Sequence, residues 1–296
     1  MKTKFRAQDR AFNLVNHILL SLFLVILIYP FVYIASCSFS SGNALMTGQV
    51  KLFPVEPTLL SYQTVFSYDP IWTGYLNSII YMVTGTVVSV ILTIMASYPL
   101  SRNDIKGKKI FMGYFLFTML FNGGLVPTYL LVQQLKMRDT IWAIILPTAL
   151  SAYNVIVART YYKQTIPSEL LEASRIDGCD DYRFLLKIVI PLSKPIIAVL
   201  SLWVAVALWN SYFPALIYLH SKEKYPLQMV LREILIMGTA DFTNSATDPE
   251  IKLRSQYLGE MLKYGTIVIS SLPLMILYPF IQKYFVKGVM IGSVKA

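Results

Sequence analysis

The sequence predicts an all-α, polytopic membrane protein with six transmembrane helices, and three observations predict it. Of 296 residues, 55% are hydrophobic and 14% charged, whereas soluble domains hold about 45–50% apolar and about 25% charged residues. The mean hydropathy is +0.56. Apolar runs long enough to cross a bilayer, which takes about twenty residues, recur along the chain. The net charge of +10 does not argue for nucleic acid, because the basic residues lie between apolar runs and form no basic face of a soluble domain.

The first span is expected at 12–36, FNLVNHILLSLFLVILIYPFVYIAS. Basic residues before it resemble the start of a signal peptide, and Ile34-Ala35-Ser36-Cys37 loosely imitates a lipoprotein cleavage site. The apolar stretch exceeds the roughly 7–15 residues of a signal core, and five spans follow, so an uncleaved span is expected. An outer loop, 37–73, carries the breakers Pro54, Pro57 and Pro70. Spans two and three are placed at 74–99 and 110–135. The third contains Gly123-Gly124 and Pro127, which break a helix; a membrane tolerates such a break only where protein or a cavity satisfies the backbone. Span four is placed at 140–161. Span five, 194–219, has no charge from Pro195 to Leu219. The outer loop 220–262 contains LQMVLREILIM, whose apolar spacing predicts an amphipathic helix near the outer surface. Span six is placed at 264–286, before a tail at 287–296.

With a cytoplasmic N-terminus, most of the 26 Lys and Arg residues fall in inner segments, and most of the remainder fall in the long last outer loop. That bias predicts both termini in the cytoplasm and a multi-pass protein of the plasma membrane. Cys37 and Cys179 then lie on opposite sides, which excludes a disulfide between them. They have no Cys-x-x-Cys spacing, so no metal site is expected.

The stretch EASRIDGCDDYRFLLKIVIP, 172–191, is polar within an apolar chain. Ser168 is expected to cap a helix with Glu169 in its first turn, where a negative charge suits the dipole. Gly178 stops that helix in the left-handed position. Asp180 or Asp181 then caps a second helix that runs to Pro191, with Phe184, Leu185 and Ile188 on one face. A loop lying on anionic lipid would favour Lys and Arg on its polar face. This one is mainly acidic from 169 to 181, which favours a protein partner in the cytoplasm.

These residues resemble the EAA loop of binding-protein-dependent ABC importer permeases: Glu172-Ala173-Ser174, then Gly178, then Ile188-Val189-Ile190-Pro191. Ser174 and Ile190 replace the family's Ala and Leu. The resemblance extends over essentially the whole chain. NSYFPALIYL after Trp209 is similar to carbohydrate-uptake permeases. The tail QKYFVKGVMIGSVKA is similar to that of the maltose-type second permease. FNGGLVPTYLLV, 121–132, is similar to a branch importing oligosaccharides, several of them uronate-rich. The resemblance implies the type I ABC importer permease architecture, with a coupling segment at 167–191 that docks on an ATPase subunit. It assigns that contact to Glu169, Glu172, Ala173, Asp177, Gly178 and Pro191. It assigns a second ATPase contact to the tail, through Phe285, Lys287, Gly288 and Lys295. It implies a homologous second permease, two ATPase subunits carrying ATP and Mg, an extracellular solute-binding protein and an oligosaccharide substrate. It implies no cofactor on this chain.

The residues themselves carry no enzyme signature. Gly107-Lys108-Lys109 lacks the rest of a phosphate-binding loop, and no Gly-x-Ser-x-Gly occurs. His17 and His220 have no ligand partners at metal spacing, so no metal is expected. An ion-coupled secondary carrier of a small polar solute is the alternative, but such carriers place ionisable residues within spans and these spans hold essentially none away from their ends. A channel and a non-transporting scaffold are further alternatives; nothing resembles a filter or a charged ring.

Polar residues within spans are the candidate substrate pathway: Asn122, Tyr153, Asn154, Trp209, Asn210 and Tyr212, with Asn77 beside them. Asn154 and Asn210 can bond sugar hydroxyls, and Tyr153 or Trp209 can stack on a sugar ring. The same asparagines can instead join helices to one another. Lys222, Lys224, Arg232, Lys252 and Arg254 face outside, where they either meet an anionic sugar or its binding protein or remain solvated charges.

Overall fold

The computed structural model describes residues 2–236 and 249–293. Among them there is no strand. The chain divides into two compact units, Met1–Ile71 with Leu231–Ser271, and Trp72–Val230 with Leu272–Ala296.

In the first unit, α1 (Lys2–Ser38) contains the first expected span. Its apolar side chains point outward: Leu19, Phe23 and Ile26 are each more than half exposed. So long an apolar cylinder is stable only in lipid or against another chain. Pro30 lies inside it, where a span tolerates proline. Past Tyr33 the helix turns inward, and Cys37, Ala44 and Val50 form a small core with Tyr33, Val55 and Tyr264. Ser41 caps α2 (Gly42–Met46) by accepting the Ala44 N–H at 3.2 Å. On α3 (Leu60–Phe66), Ser61 donates to the Met261 carbonyl at 2.6 Å and faces Gly265, whose missing side chain permits the close approach.

The second unit opens within α4 (Asp69–Ser101), at Trp72. α5 (Lys108–Leu120) and α6 (Leu125–Gln134) meet at 113°. The break falls at Gly123-Gly124 as the glycines predict; Gly124 has φ +87° and the Asn122 Oδ1 accepts its N–H at 2.9 Å. α7 (Ile141–Ile145), with a 3-10 turn Leu146–Thr148, meets α8 (Ala152–Thr165) at 53°. α9 (Ser168–Ile176) and α10 (Asp181–Phe184) follow, then a π turn Leu185–Val189 and α11 (Ile190–Leu192). The Asp181–Leu192 segment meets α12 (Lys194–Trp209) at 79°.

The expected fifth span differs from a single helix. α12 ends at Trp209 and α13 (Phe213–Tyr218) restarts the chain. Pro214 offers no N–H to the Asn210 carbonyl, so the helix cannot run through. α14 (Leu227–Ile236) is the amphipathic helix expected there, and it buries Leu227, Met229, Val230 and Ile234. α15 (Pro249–Ser293) contains the expected sixth span, with Pro273 and Pro279 inside it. Among the described residues, Phe12–Ser38 and Asp69–Ser101 are each long and apolar enough to cross a membrane unaided; counting each bent pair as one span gives up to 5.

Small residues let the helices of the second unit approach. A Cβ on Gly74 would lie 3.0 Å from the Val230 side chain, and one on Gly85 would lie 2.5 Å from Leu208. Around these contacts Tyr81, Ile144, Leu208, Ala215, Leu219 and Met229 form one apolar cluster.

Candidate functional site

The segment from Pro167 to Pro191 is a helical hairpin built by local chemistry. Pro167, in extended conformation, occupies the N-cap position, and Ser168 is the first helical residue. The expected Ser168 cap is therefore absent, because a residue inside the helix cannot turn its hydroxyl onto the first-turn N–H groups. α9 closes as sequence predicts. Gly178 takes φ +72°, its N–H reaches the Arg175 carbonyl at 3.0 Å, and the Cys179 N–H reaches that of Ser174 at 2.9 Å. These paired bonds satisfy the last carbonyls of the helix. Asp180 then caps α10, its Oδ1 accepting the Arg183 N–H at 2.7 Å. The π turn precedes Pro191, whose missing N–H prevents a regular α register there.

One face of the hairpin is anchored. Phe184 and Val189 are fully buried among Tyr98, Ala158, Tyr162, Ile196 and Leu200, with Leu171, Leu185 and Ile188 packed around them. A cluster of charges fixes its polar flank. The Arg102 guanidinium, only 9% exposed, donates to Asp104 at 2.9 and 2.5 Å and pairs with Asp181 at 2.8 Å. Arg175 reaches Asp104 at 2.8 Å and Asp181 at 3.8 Å. The hydrogen bond from Arg102, joined by Arg175, holds the Asp104 carboxyl well below the usual carboxylate range. Nothing local in the sequence points to Arg102 and Asp104. The signal that would have found them is the Asp180-Asp181 pair, whose charge calls for a cation.

The other face is open. Glu169, Glu172, Ala173 and Asp177 are exposed, and among the described residues none of the three carboxylates forms an ion pair. Beside them Ile176 is 87% exposed and Tyr182 81% exposed. Apolar anchors standing on a rigid hairpin between unpaired acids form a surface suited to a protein partner.

The candidate pathway residues do not converge on one cavity. Asn154 is buried and lines a cavity of about 290 Å³ with Ser89, Thr148, Ser151, Trp203 and Ser211. Tyr153 is exposed and its ring lies 5.7 Å from that of Trp203. Trp209 is fully buried, with its ring edge-on to Tyr75 at 5.4 Å. Asn210 turns back onto the Val206 carbonyl at 2.9 Å and closes α12. Tyr212 is exposed beside Phe213. Asn122 lines a separate cavity of about 390 Å³. Asn77 joins helix to loop, donating to the carbonyls of Glu223 and Tyr225 at 2.7 and 3.1 Å.

A second ionic cluster fastens the 136–140 loop to the 220–225 loop. Asp139, at φ +57°, accepts the backbone N–H groups of His220 and Ser221 at 3.0 and 3.1 Å. It also accepts the Ser221 hydroxyl and the Lys224 ammonium, each at 2.7 Å. Lys224 lowers the Asp139 carboxyl well below its ordinary range, with the two backbone N–H groups and the Ser221 hydroxyl assisting. Arg138 donates to the His220 Nε2 at 2.5 Å and lies over the Tyr129 ring. Lys224, for which the sequence leaves an anionic sugar, its binding protein and solvent as alternatives, is thus committed to Asp139.

Of the expected tail contacts, Phe285, Lys287 and Gly288 lie on α15 and Lys295 lies outside the described residues. Both cysteines are free thiols. Among the described residues no group of three or more His, Cys, Asp or Glu is placed to hold a metal.

Relatives match this chain from end to end. It is 38% identical over 294 residues to the polygalacturonan/rhamnogalacturonan transport system permease protein YtcP of Bacillus subtilis, covering 97% of this chain and 99% of the relative. It is 39% identical over 291 residues to Protein LplC of the same organism, covering 97% and 95%. A crystal structure of a bacterial ABC transporter involved in the import of the acidic polysaccharide alginate contains a chain that superposes with a TM-score of 0.85 at 37% identity, covering 94% of this chain and 98% of that one. The family described as binding-protein-dependent transport system inner membrane component matches residues 71–291. With three-quarters of its length inside that match, the chain belongs to the family of binding-protein-dependent ABC transporter permeases, membrane subunits that are not themselves enzymes.

Proposed function

We propose that this chain is one of two permease subunits of an ATP-driven importer that moves oligosaccharides, uronate-containing ones included, across the plasma membrane. The observation that carries the coupling role is the hairpin Pro167–Pro191, anchored on one face by Phe184 and Val189 and left open on the other around Glu172 and Ile176. A push on such an element moves the helix ends beneath it. Glu169, Glu172, Ala173, Asp177 and Gly178 are the docking residues in this reading, and Pro191 marks the turn into α12. ATP and Mg bind on two partner ATPase subunits, and the tail from Phe285 to Lys295 makes a second contact with them. An extracellular solute-binding protein delivers the sugar to the loops at 37–73 and 220–262. Both termini face the cytoplasm. The carbohydrate class is supported by the relative named for polygalacturonan and rhamnogalacturonan and by the alginate importer.

The test is ATPase activity of the assembled complex in liposomes with its binding protein, across neutral and uronate oligosaccharides. Stimulation is expected with the uronate class. Hydrolysis that no sugar stimulates sinks the carbohydrate assignment. Glu172→Ala and Gly178→Val are expected to uncouple hydrolysis from uptake while the subunit still inserts. Valine at Gly178 must adopt a left-handed backbone that costs an L-residue about 1–2 kcal/mol. Coupled transport that survives both changes removes the docking assignment.

A further inference from the structure

The cavity beneath Asn154 has features that helix packing does not explain. Asn154 is 8% exposed, yet its carboxamide makes no hydrogen bond among the described residues. The side chains of Ser151 and Ser211 and the Trp203 indole N–H are likewise without partners there. The Ser89 hydroxyl, deeper in the wall, is buried and unsatisfied. An unfilled asparagine in a bilayer-spanning protein is costly, because lipid supplies no hydrogen bonds. Where asparagine joins helix to loop, as Asn77 does, its bonds are made; here they are open. Donors, acceptors and an indole therefore converge on about 290 Å³ of open space. That volume accommodates one hexose-sized ring. None of the residues lining it is charged.

We propose that this cavity is a sugar subsite carried by this chain, which takes the neutral, hydroxyl-bearing face of one pyranose ring. The Asn154 carboxamide bonds a pair of adjacent ring hydroxyls, Ser151 and Ser211 complete the bonding, and the Trp203 indole covers the ring face. Carboxamides and hydroxyls suit neutral hydroxyls, since each can both donate and accept. Stacking on an indole suits the apolar C–H face of a pyranose. A uronate carboxylate finds no cation in this lining and stays outside it. On an acidic oligosaccharide, the subsite thus selects for ring hydroxyls, and the charge is met elsewhere along the route. The inference rests on the importer reading and extends it by naming which atoms of the sugar this chain reads.

The experiment uses the assembled complex in liposomes with its binding protein. In the first arm, Asn154→Leu and Trp203→Ala are expected to lower sugar uptake on the order of tenfold each, with uptake normalised to the amount of assembled complex in the liposomes. Asn154→Asp adds a negative charge, and it is expected to reduce uptake of uronate oligosaccharides more than that of neutral ones. A merely structural asparagine would not distinguish the two sugars. In the second arm, a thiol is placed by Ser151→Cys in a Cys179→Ser background and titrated with a membrane-permeant thiol reagent. Transported sugar is expected to protect it. Wild-type uptake by all three cavity variants overturns the subsite. So does a thiol that sugar leaves unprotected, or one that is shielded with and without sugar, which would mean that the partner permease fills the cavity. If the wild-type complex itself takes up no sugar, the importer reading fails instead, so the two failures are distinguishable.

Discussion

Two ionic clusters in the second unit fasten distant loops, and they are built differently. At the coupling hairpin, Arg102, Asp104, Arg175 and Asp181 bond to one another through their side chains, and three of the four are 39% exposed or more. At the 136–140 loop, Asp139 grips backbone: its carboxylate takes two main-chain N–H groups as well as Ser221 and Lys224. Tyr81 adds a bond from its hydroxyl to the Lys224 carbonyl at 2.7 Å. Side-chain pairs in water are individually weak and can exchange partners, whereas a carboxylate that satisfies main-chain donors fixes a chain path. The difference teaches that charge serves two purposes here. One cluster holds an element that must be pushed, in the proposed mechanism. The other holds a loop closed.

The strongest test of that contrast removes Asp139. Asp139→Ala strands two backbone N–H groups and the Lys224 ammonium, and a non-glycine residue other than Asp or Asn must then hold φ +57°. A loss of about 2–4 kcal/mol of local stability is expected. It would be read as faster hydrogen exchange across 219–225 with little change across 168–176. Asp139→Asn keeps the acceptor and the conformational tolerance, and is expected to recover roughly half. Equal exchange in both peptides would mean that the clusters are not independent.

Arg102→Ala comes next. It deletes the least exposed member of the hairpin cluster and leaves Asp104 and Asp181 facing each other across Arg175 alone. Loosening of 168–184 by about 1–3 kcal/mol is expected, again by hydrogen exchange, with Phe184 still anchoring the hairpin. Arg175→Ala, at a half-exposed position, is expected to cost no more than about 1 kcal/mol. A larger effect from Arg175 than from Arg102 would reverse the assigned order of importance. Raising salt to about 1 M, where the Debye length falls to about 3 Å, is expected to mimic Arg175→Ala at the hairpin and to leave 219–225 protected.

The same contrast explains what could be read from sequence. The hairpin's helices, its Gly178 stop and its Asp180 cap were legible because capping is chemistry between residues two to five apart. The break at Gly123-Gly124 was legible for the same reason. Ser168 departs from its expected capping position because Pro167 also suits an extended cap, and a one-residue shift places the serine inside the helix. The interruption at Asn210 was missed because uniform apolar character overshadowed Pro214 in an uncharged run. The ion clusters were illegible, since Arg102 and Asp181, or Asp139 and Lys224, meet only after the helices between them pack. Asn154 was visible as a polar residue in a span. Its distinction from Asn77 and Asn210 lies in which bonds are already made, and that is settled only once the chain has folded.

Acid gives the smallest expected effect between pH 5 and 8, and its sign follows from the two depressed carboxyls. Asp104 is lowered chiefly by the bond from Arg102, and Asp139 chiefly by that from Lys224. A carboxyl whose folded pKa lies below its unfolded value of about 3.9 contributes stability that is fully present above that value and lost as pH falls through the folded one. Exchange rates in 168–184 and in 219–225, corrected for intrinsic chemistry, should therefore be flat from pH 8 to pH 5 and rise only below about pH 4. His220→Gln leaves Arg138 an acceptor and removes the imidazole beside the Asp139 cluster. In that background the flat region should be unchanged at 168–184. A rise at 219–225 that begins well above pH 4, in the wild type or in this variant, would show that Asp139 does not set the acid response of the outer cluster.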